Sequence, residues 1–197
     1  MFKGVPRLET KNVGGGGVRG MNGIRECRAV SSSTVGWNGE PDRAVDQRAA
    51  ATNWGSASCT HTDEVVDAAA RQPAWWQVDL GATALVDHVN VWHRTDCCQD
   101  RLMSAHVMLG AQPLSESQDM AAFKASAHLC GSLSDYTHAP EVSYCGGKEG
   151  RYLVVAHTSS TGDAHLAQDG TTESGGGTSK GEIVTICEAR LERSSAV

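Results

Sequence analysis

The sequence is short of positive charge. Its 17 Lys and Arg face 23 Asp and Glu, for a net charge of −6. That balance excludes a general nucleic-acid binder, which needs a basic face against phosphates. There is no apolar run of membrane-spanning length. The opening Met1-Phe2-Lys3-Gly4-Val5-Pro6-Arg7 also lacks the apolar stretch of a secretory leader. No Cys-x-x-Cys pair occurs, which sets aside a structural zinc knuckle. Asn-x-Ser/Thr sequons and internal repeats are absent too. Aromatic residues are few, with 2 Phe, 3 Tyr and 5 Trp.

Those Trp residues are concentrated. Trp75, Trp76 and Trp92 lie close together, which places the core, or a ligand face, between about residues 54 and 110. A chain of 197 residues suffices for one ordinary domain with a real core. The 7 cysteines, Cys27, Cys59, Cys97, Cys98, Cys130, Cys145 and Cys187, read as three disulfides and one remaining thiol. That usage implies an oxidising, extracellular compartment. Spacing alone leaves the pairing open.

Residues 1–27 are Gly-rich and weakly patterned, so they are expected to be poorly ordered or to hold a degraded first strand. Residues 28–42 are polar and turn-prone. Trp76, Val78 and Leu80 alternate onto one face of a strand. From Asp87 to Arg94 a second strand puts Val89, Val91 and His93 on one face and His88, Asn90, Trp92 and Arg94 on the other. Further runs are His106–Leu109, Arg151–His157 and Glu182–Leu191. Short alternating strands between loops predict an all-β protein, an antiparallel β-sandwich or jelly roll. Thr62–Arg71 reads as a short inserted helix, and the Gly/Ser/Thr-rich Ser159–Gly181 as a flexible loop. The domain is expected over residues 28–191, with a tail at 192–197.

The segment His93-Arg94-Thr95-Asp96-Cys97-Cys98-Gln99-Asp100-Arg101 carries the most chemistry. A neutral sugar needs fixed donors, a few acceptors and something apolar to lie against. Arg suits the donor role because its planar fork bonds two adjacent oxygens. Arg94 and Arg101 flank a tight turn, and Asp96 between them is placed to brace a guanidinium by a charge-assisted bond. A surface Arg/Asp cluster with no ligand fits the same spacing. The adjacent Cys97 and Cys98 have Cα atoms ~3.8 Å apart, below the ~4.4–6.8 Å usual for a disulfide. A bond between them would make a rigid turn with a flat sulfur surface for a sugar's apolar edge. Each bonding elsewhere is the other reading.

Several blocks together resemble the F-type lectins, or fucolectins. They are Pro41-Asp42-Arg43-Ala44-Val45-Asp46, Ser58-Cys59-Thr60-His61-Thr62, Trp75-Trp76-Gln77-Val78-Asp79-Leu80-Gly81, Arg94 to Arg101, and Thr185-Ile186-Cys187-Glu188. The resemblance spans roughly residues 28–191. It implies a discoidin-like jelly roll that recognises L-fucose on glycans or glycoproteins. His61, Arg94 and Arg101 would donate to the sugar, Cys97 and Cys98 would form the vicinal disulfide beneath its apolar side, and Asp96 would brace an arginine. Trp54 stands where the family often has an aromatic and is expected as a pocket wall, with Trp37 a weaker candidate. The resemblance also implies Cys59–Cys187 and Cys130–Cys145 bridges, with Cys27 left over. Calcium is implied as well, held by the carboxylates of Asp46 and Glu188, by Ser58, and by main-chain carbonyls of Arg43, Arg48 and Cys187. The interval from His61 to Arg94 is longer than the family usual, and Arg48 stands where the family more often has Asn.

Trp75 and Trp76 are expected in the core, and His88, His93 and His106 at surface or strand positions. Two other classes remain to be separated from a lectin. One is a discoidin-type module that attaches to a protein or membrane surface, which would not need the basic trio and vicinal disulfide. The other is an enzyme, with Cys98 and His93 as an imaginable nucleophile and base. A metal cluster of His93, Cys97 and Cys98 is a further option. Weak single-site sugar binding would favour an oligomer or a tandem chain.

Overall fold

The computed structural model describes residues 29–33, 36–49, 52–63, 73–115, 120–134, 137–157 and 183–194. The Gly-rich 1–27 segment, Cys27, the 159–181 loop and most of the 62–71 insertion lie outside them.

Among the described residues, six strands form one hydrogen-bonded antiparallel sheet. They are β1 (Ala29–Ser32), β2 (Trp75–Trp92), β3 (His106–Gly110), β4 (His128–Ser132), β5 (Glu141–Ala156) and β6 (Glu188–Arg193). The order is β1-β2-β5-β3-β4, with β6 added on β2. The organising element is β2. Its first part pairs with β1 through Trp76–Asp79, and its last part pairs with β6 through Val86–Trp92. Strand β5 follows β2 along both parts, with register shifts at Asp79/Ala84 and Val86/His88. Such irregularities bend a strand. Both parts of β2 thereby serve one core, in which Trp76, Val78 and Leu80 meet Val86, Val89 and Val91, with Leu153, Val155, Ile186 and Leu191. This is the antiparallel sandwich that the alternation predicts.

A second apolar cluster covers the other face. A short helix, α1 (Met120–Ser126), packs Met120 and Phe123 against Trp75, Met108 and Val154. Buried Gln77 is satisfied there by the backbone of Leu114, at 2.7 and 3.2 Å. Trp75 and Trp76 are both core residues, as expected, and the Trp76 indole N–H donates to the Pro41 carbonyl at 2.8 Å. That bond anchors the 3-10 turn Pro41–Val45, which leads into Asp46.

Four sequence expectations are corrected. The polar 28–42 stretch contains β1, an edge strand held by β2 rather than by its own pattern. The break expected after Leu80 does not occur, because β2 runs on through Gly81 at φ +78. Thr62 does not open a helix; its N–H bonds the Val184 carbonyl at 3.1 Å and its hydroxyl accepts from the Val184 N–H at 3.0 Å. Glu192 and Arg193 belong to β6 rather than to a tail.

Candidate functional site

The site forms where three loops meet at one end of the sandwich. The first carries His61. The N–H of His61 donates to the Gly39 carbonyl and its own carbonyl accepts from Gly36, while Cys59, two residues earlier, is bonded to Cys187 at the foot of β6. The second is the 3-10 turn Trp54–Ser56, closed by the Asn53 side chain accepting from the Ser56 N–H at 2.9 Å. The third leaves β2 at Arg94 and ends in the 3-10 turn Gln99–Leu102, which carries Arg101. The Thr52 and Thr95 hydroxyls bond at 2.8 Å, and the Thr95 N–H donates to the Thr52 carbonyl, so the second and third loops are tied together.

Arg94 is braced by a two-point pair. Its Nε donates to Asp96 Oδ1 at 2.9 Å and its Nη2 to Oδ2 at 2.8 Å. The Trp54 N–H donates to the same carboxylate at 3.1 Å. These bonds, the Arg94 pair foremost, hold the Asp96 carboxyl down at about 2. The Arg94 guanidinium also lies 5.4 Å from the centre of the Trp54 ring.

His61 joins this group directly. Its ring meets Trp54 edge-on at 5.6 Å, and its Nε2 lies 2.8 Å from Arg101 Nη1. Arginine can only donate, so Nε2 accepts. The other ring nitrogen, Nδ1, faces the Thr62 carbonyl and therefore carries the proton. The neutral ring thus presents its lone pair where Arg101 points. Burial, together with the charges of Arg101 and Arg94, lowers the His61 pKa below its ordinary 6.5. Protonation therefore opposes the arrangement, and its contribution is present above 6.5 and lost as pH falls through the lowered value. Asp96 stays ionised throughout that window.

Cys97 and Cys98 are bonded to each other, and Cys98 adopts the left-handed conformation at φ +59. The Cys59–Cys187 and Cys130–Cys145 bridges are present as the resemblance implies. The vicinal bond removes Cys98 as a nucleophile and both sulfurs as thiolate ligands. His93 is not a surface residue; it is 5% exposed on the face it shares with Val89 and Val91. Its Nδ1 lies 2.7 Å from the Arg94 carbonyl and its Nε2 2.9 Å from the His138 carbonyl. His157, at the end of β5, reaches the Arg101 carbonyl through Nε2 at 3.0 Å. Two buried histidines thus touch the backbone of the two arginines. Alternation alone gives His93 its face, but nothing local in the sequence pairs His157 with Arg101.

Near the foot of β6, Glu188 is 1% exposed and its Oε2 has no hydrogen-bond partner. Burial pushes its carboxyl up to about 7, with Asp46 adding repulsion. Asp46 is itself raised by burial, and accepts from the Arg48 N–H at 2.9 Å. Arg190 Nε reaches Glu188 Oε1 at 3.5 Å, a contact the sequence reading missed. Ser58 and Cys187 are fully buried, while Arg43 is half-buried and Arg48 exposed. Among the described residues no group of three or more His, Cys, Asp or Glu surrounds one point. A cation there would need main-chain oxygens. An orphaned carboxylate oxygen with a second carboxylate beside it fits a hard cation of that kind.

Comparison with known proteins gives a consistent family picture. The sequence model of the NedA-like, galactose-binding domain of the F5/F8 type C family matches residues 43–155. The pentraxin fusion protein of Xenopus laevis is 26% identical over 125 residues, covering 63% of this chain and 27% of that protein. A fucolectin of Anguilla anguilla is 26% identical over 132 residues, covering 66% and 75% respectively. Among solved structures, the lectin domain of lectinolysin complexed with Lewis B antigen superposes with a TM-score of 0.59 at 24% identity, over 85% of this chain and 93% of that one. This chain therefore spans about a quarter of the pentraxin fusion protein, 27% of its length.

Proposed function

We propose that this chain, which belongs to the F5/F8 type C family of NedA-like galactose-binding domains, binds terminal L-fucose on glycans or glycoproteins and catalyses no reaction. The observation that carries the reading is the 2.8 Å contact between His61 Nε2 and Arg101 Nη1, beside an Arg94 locked to Asp96. Trp54 touches both Arg94 and His61, His61 touches Arg101, and the Cys97–Cys98 turn lies between the two arginines in sequence. A 6-deoxy sugar offers adjacent hydroxyls for the guanidinium N–H groups that Asp96 and His61 leave over, and a methyl edge for an apolar wall. The fucolectin relatives and the Lewis B complex of lectinolysin support the same choice of sugar. An attachment module without sugar binding would have no use for this convergence.

The test is calorimetric titration with methyl α-L-fucoside across pH. Affinity should be flat from pH 8 to near the ordinary histidine value of 6.5 and fall below it, as His61 gains a proton beside Arg101. Affinity that does not change down to pH 4 would count against His61 as the acceptor.

Calcium is the proposed cofactor. The carboxylates of Asp46 and Glu188, the Ser58 oxygen and the carbonyls of Arg43, Arg48 and Cys187 would hold it, and it would neutralise buried negative charge beneath the loop of His61. Calcium at a hundredfold over its Kd should raise Tm by about 5–10 °C. Glu188→Gln should remove that rise. An equal rise in the variant, by differential scanning fluorimetry with and without chelator, would rule out this ligand set.

Three disulfides support an oxidising, extracellular location. No helix among the described residues is long and apolar enough to cross a membrane. Useful avidity from one small site would come from several copies, in an oligomer or a tandem chain.

A further inference from the structure

Glu188 has a counter-charge on its own strand. Glu188 and Arg190 are two residues apart on β6 and so project to one face, beside Trp92 of β2, which is the register partner of Glu188. The Arg190 Nε lies 3.5 Å from Glu188 Oε1, and its Nη2 donates to the Gln47 carbonyl at 3.5 Å. Its guanidinium carbon lies 5.2 Å from the centre of the Trp92 ring. Gln47 stands between Asp46 and Arg48 and holds a left-handed φ of +69. One guanidinium therefore reaches both parts of the proposed calcium ligand set, the foot of β6 and the segment after the Pro41–Val45 turn. It is the positive charge that offsets a carboxylate 1% exposed with Asp46 repelling it.

Two effects on a calcium ion follow, with opposite signs. By holding Gln47, Arg190 steadies the segment that carries Asp46 and the Arg48 carbonyl, which favours the ion. By standing against Glu188, it puts a positive charge where a divalent cation would sit, which opposes the ion. Both polar contacts are at the long limit of hydrogen bonding and the side chain is 34% exposed, so the steadying is weak. A like charge within a few ångströms of a partly buried ion is the larger effect. It must also be moved aside before Glu188 Oε1 is free to coordinate, and that step lowers the apparent affinity. Trp92 gives the displaced guanidinium somewhere to rest, because the ring contact does not involve Glu188.

We propose that Arg190 is an internal competitor for the calcium site. Its guanidinium serves Glu188 in the metal-free chain and gives way to the ion, so the seam at Cys187 and Glu188 stands without calcium and the ion is held less tightly than its ligands allow. The proposal rests on the calcium reading of Asp46 and Glu188. Its test is calorimetric titration of calcium chloride into the full chain after chelator treatment, beside thermal melts in chelator. Arg190→Met keeps an apolar chain near Trp92 but no charge. It should bind calcium about tenfold more tightly than the native chain and melt about 2–4 °C lower in chelator. Arg190→Lys keeps the charge and should stay near the native chain in both respects. In ¹⁵N-labelled native protein, the Arg190 Nε–H resonance should move on calcium addition, as the guanidinium leaves Glu188. The proposal is overturned if Arg190→Met binds calcium no more tightly than the native chain, if it melts no lower in chelator, or if saturating calcium leaves the Arg190 Nε–H unmoved. Calcium binding by the native chain with no gain in Arg190→Met would leave the ligand set standing and remove only the competition. No calcium binding by either chain would sink the ligand set itself, and this proposal with it.

Discussion

Replacing Arg101 with alanine is expected to lower fucose affinity by about a hundredfold or more while leaving the melting temperature nearly unchanged. The guanidinium sits on a short 3-10 turn and is only half-buried, so the sandwich loses little packing. The sugar loses charge-assisted hydrogen bonds of about 1.5–3 kcal/mol each. His61 Nε2, now 2.8 Å from a donor, is left facing an empty place. Arg94→Ala should do the same by a second route. It removes the sugar contact and also releases Asp96, which Arg94 holds at two points and whose carboxylate also accepts from Trp54. Arg94→Lys keeps the charge but has no planar fork, and should rescue little. Titration calorimetry beside a thermal melt separates the two effects. Native-like affinity in either alanine variant would remove that arginine from the site.

The second large effect belongs to the bridge between Cys59 and Cys187. It closes 128 residues, against 15 for Cys130–Cys145. In the loop-entropy view such a closure contributes about 4–5 kcal/mol, and the shorter one about 3 kcal/mol. The Cys59→Ala/Cys187→Ala double variant should therefore melt roughly 10–20 °C lower at this chain length. The consequence for function follows from position. Cys59 is two residues before His61, and Cys187 immediately precedes Glu188. Thr60 and Thr62 also pair by their N–H groups with the Ile186 and Val184 carbonyls, so the bridge reinforces a seam that sets both the sugar histidine and the buried carboxylate. Fucose affinity should fall with stability in this variant, whereas Cys130→Ala/Cys145→Ala should lose stability only. A smaller melting shift for the long bridge than for the short one would contradict the ranking.

Much of the architecture could be read from alternation. Trp76, Val78 and Leu80, and then Val89 and Val91, follow a period of two because one face of β2 lines the main core along both of its parts, and that signal needs no partner. What alternation could not supply is what depends on partners. Strand β1 is four residues held by the edge of β2. Strand β4 is mostly half-exposed and so carries little pattern. Helix α1 is a single apolar pair, Met120 and Phe123, too short to stand out. The arginine segment was legible for the opposite reason: Arg94, Asp96 and Arg101 are close in sequence, and their chemistry is visible there. His61 was not, because its place is fixed by Gly39, Cys187 and Val184, all distant along the chain; only the family resemblance pointed to it. The same applies to His157, whose partner is 56 residues away. His93 was within reach. Its strand face matched Val89 and Val91, and the polar side chain alone suggested exposure.

The most direct test of the central claim is a titration of ¹⁵N-labelled protein with L-fucose, followed through the Arg Nε–H and His ring resonances. Saturable shifts confined to Arg94, Arg101 and His61, with His61 in its Nδ1–H form at pH 7, are the predicted result. No shift at any of the three under saturating fucose, or shifts confined to another face of the sandwich, would contradict it.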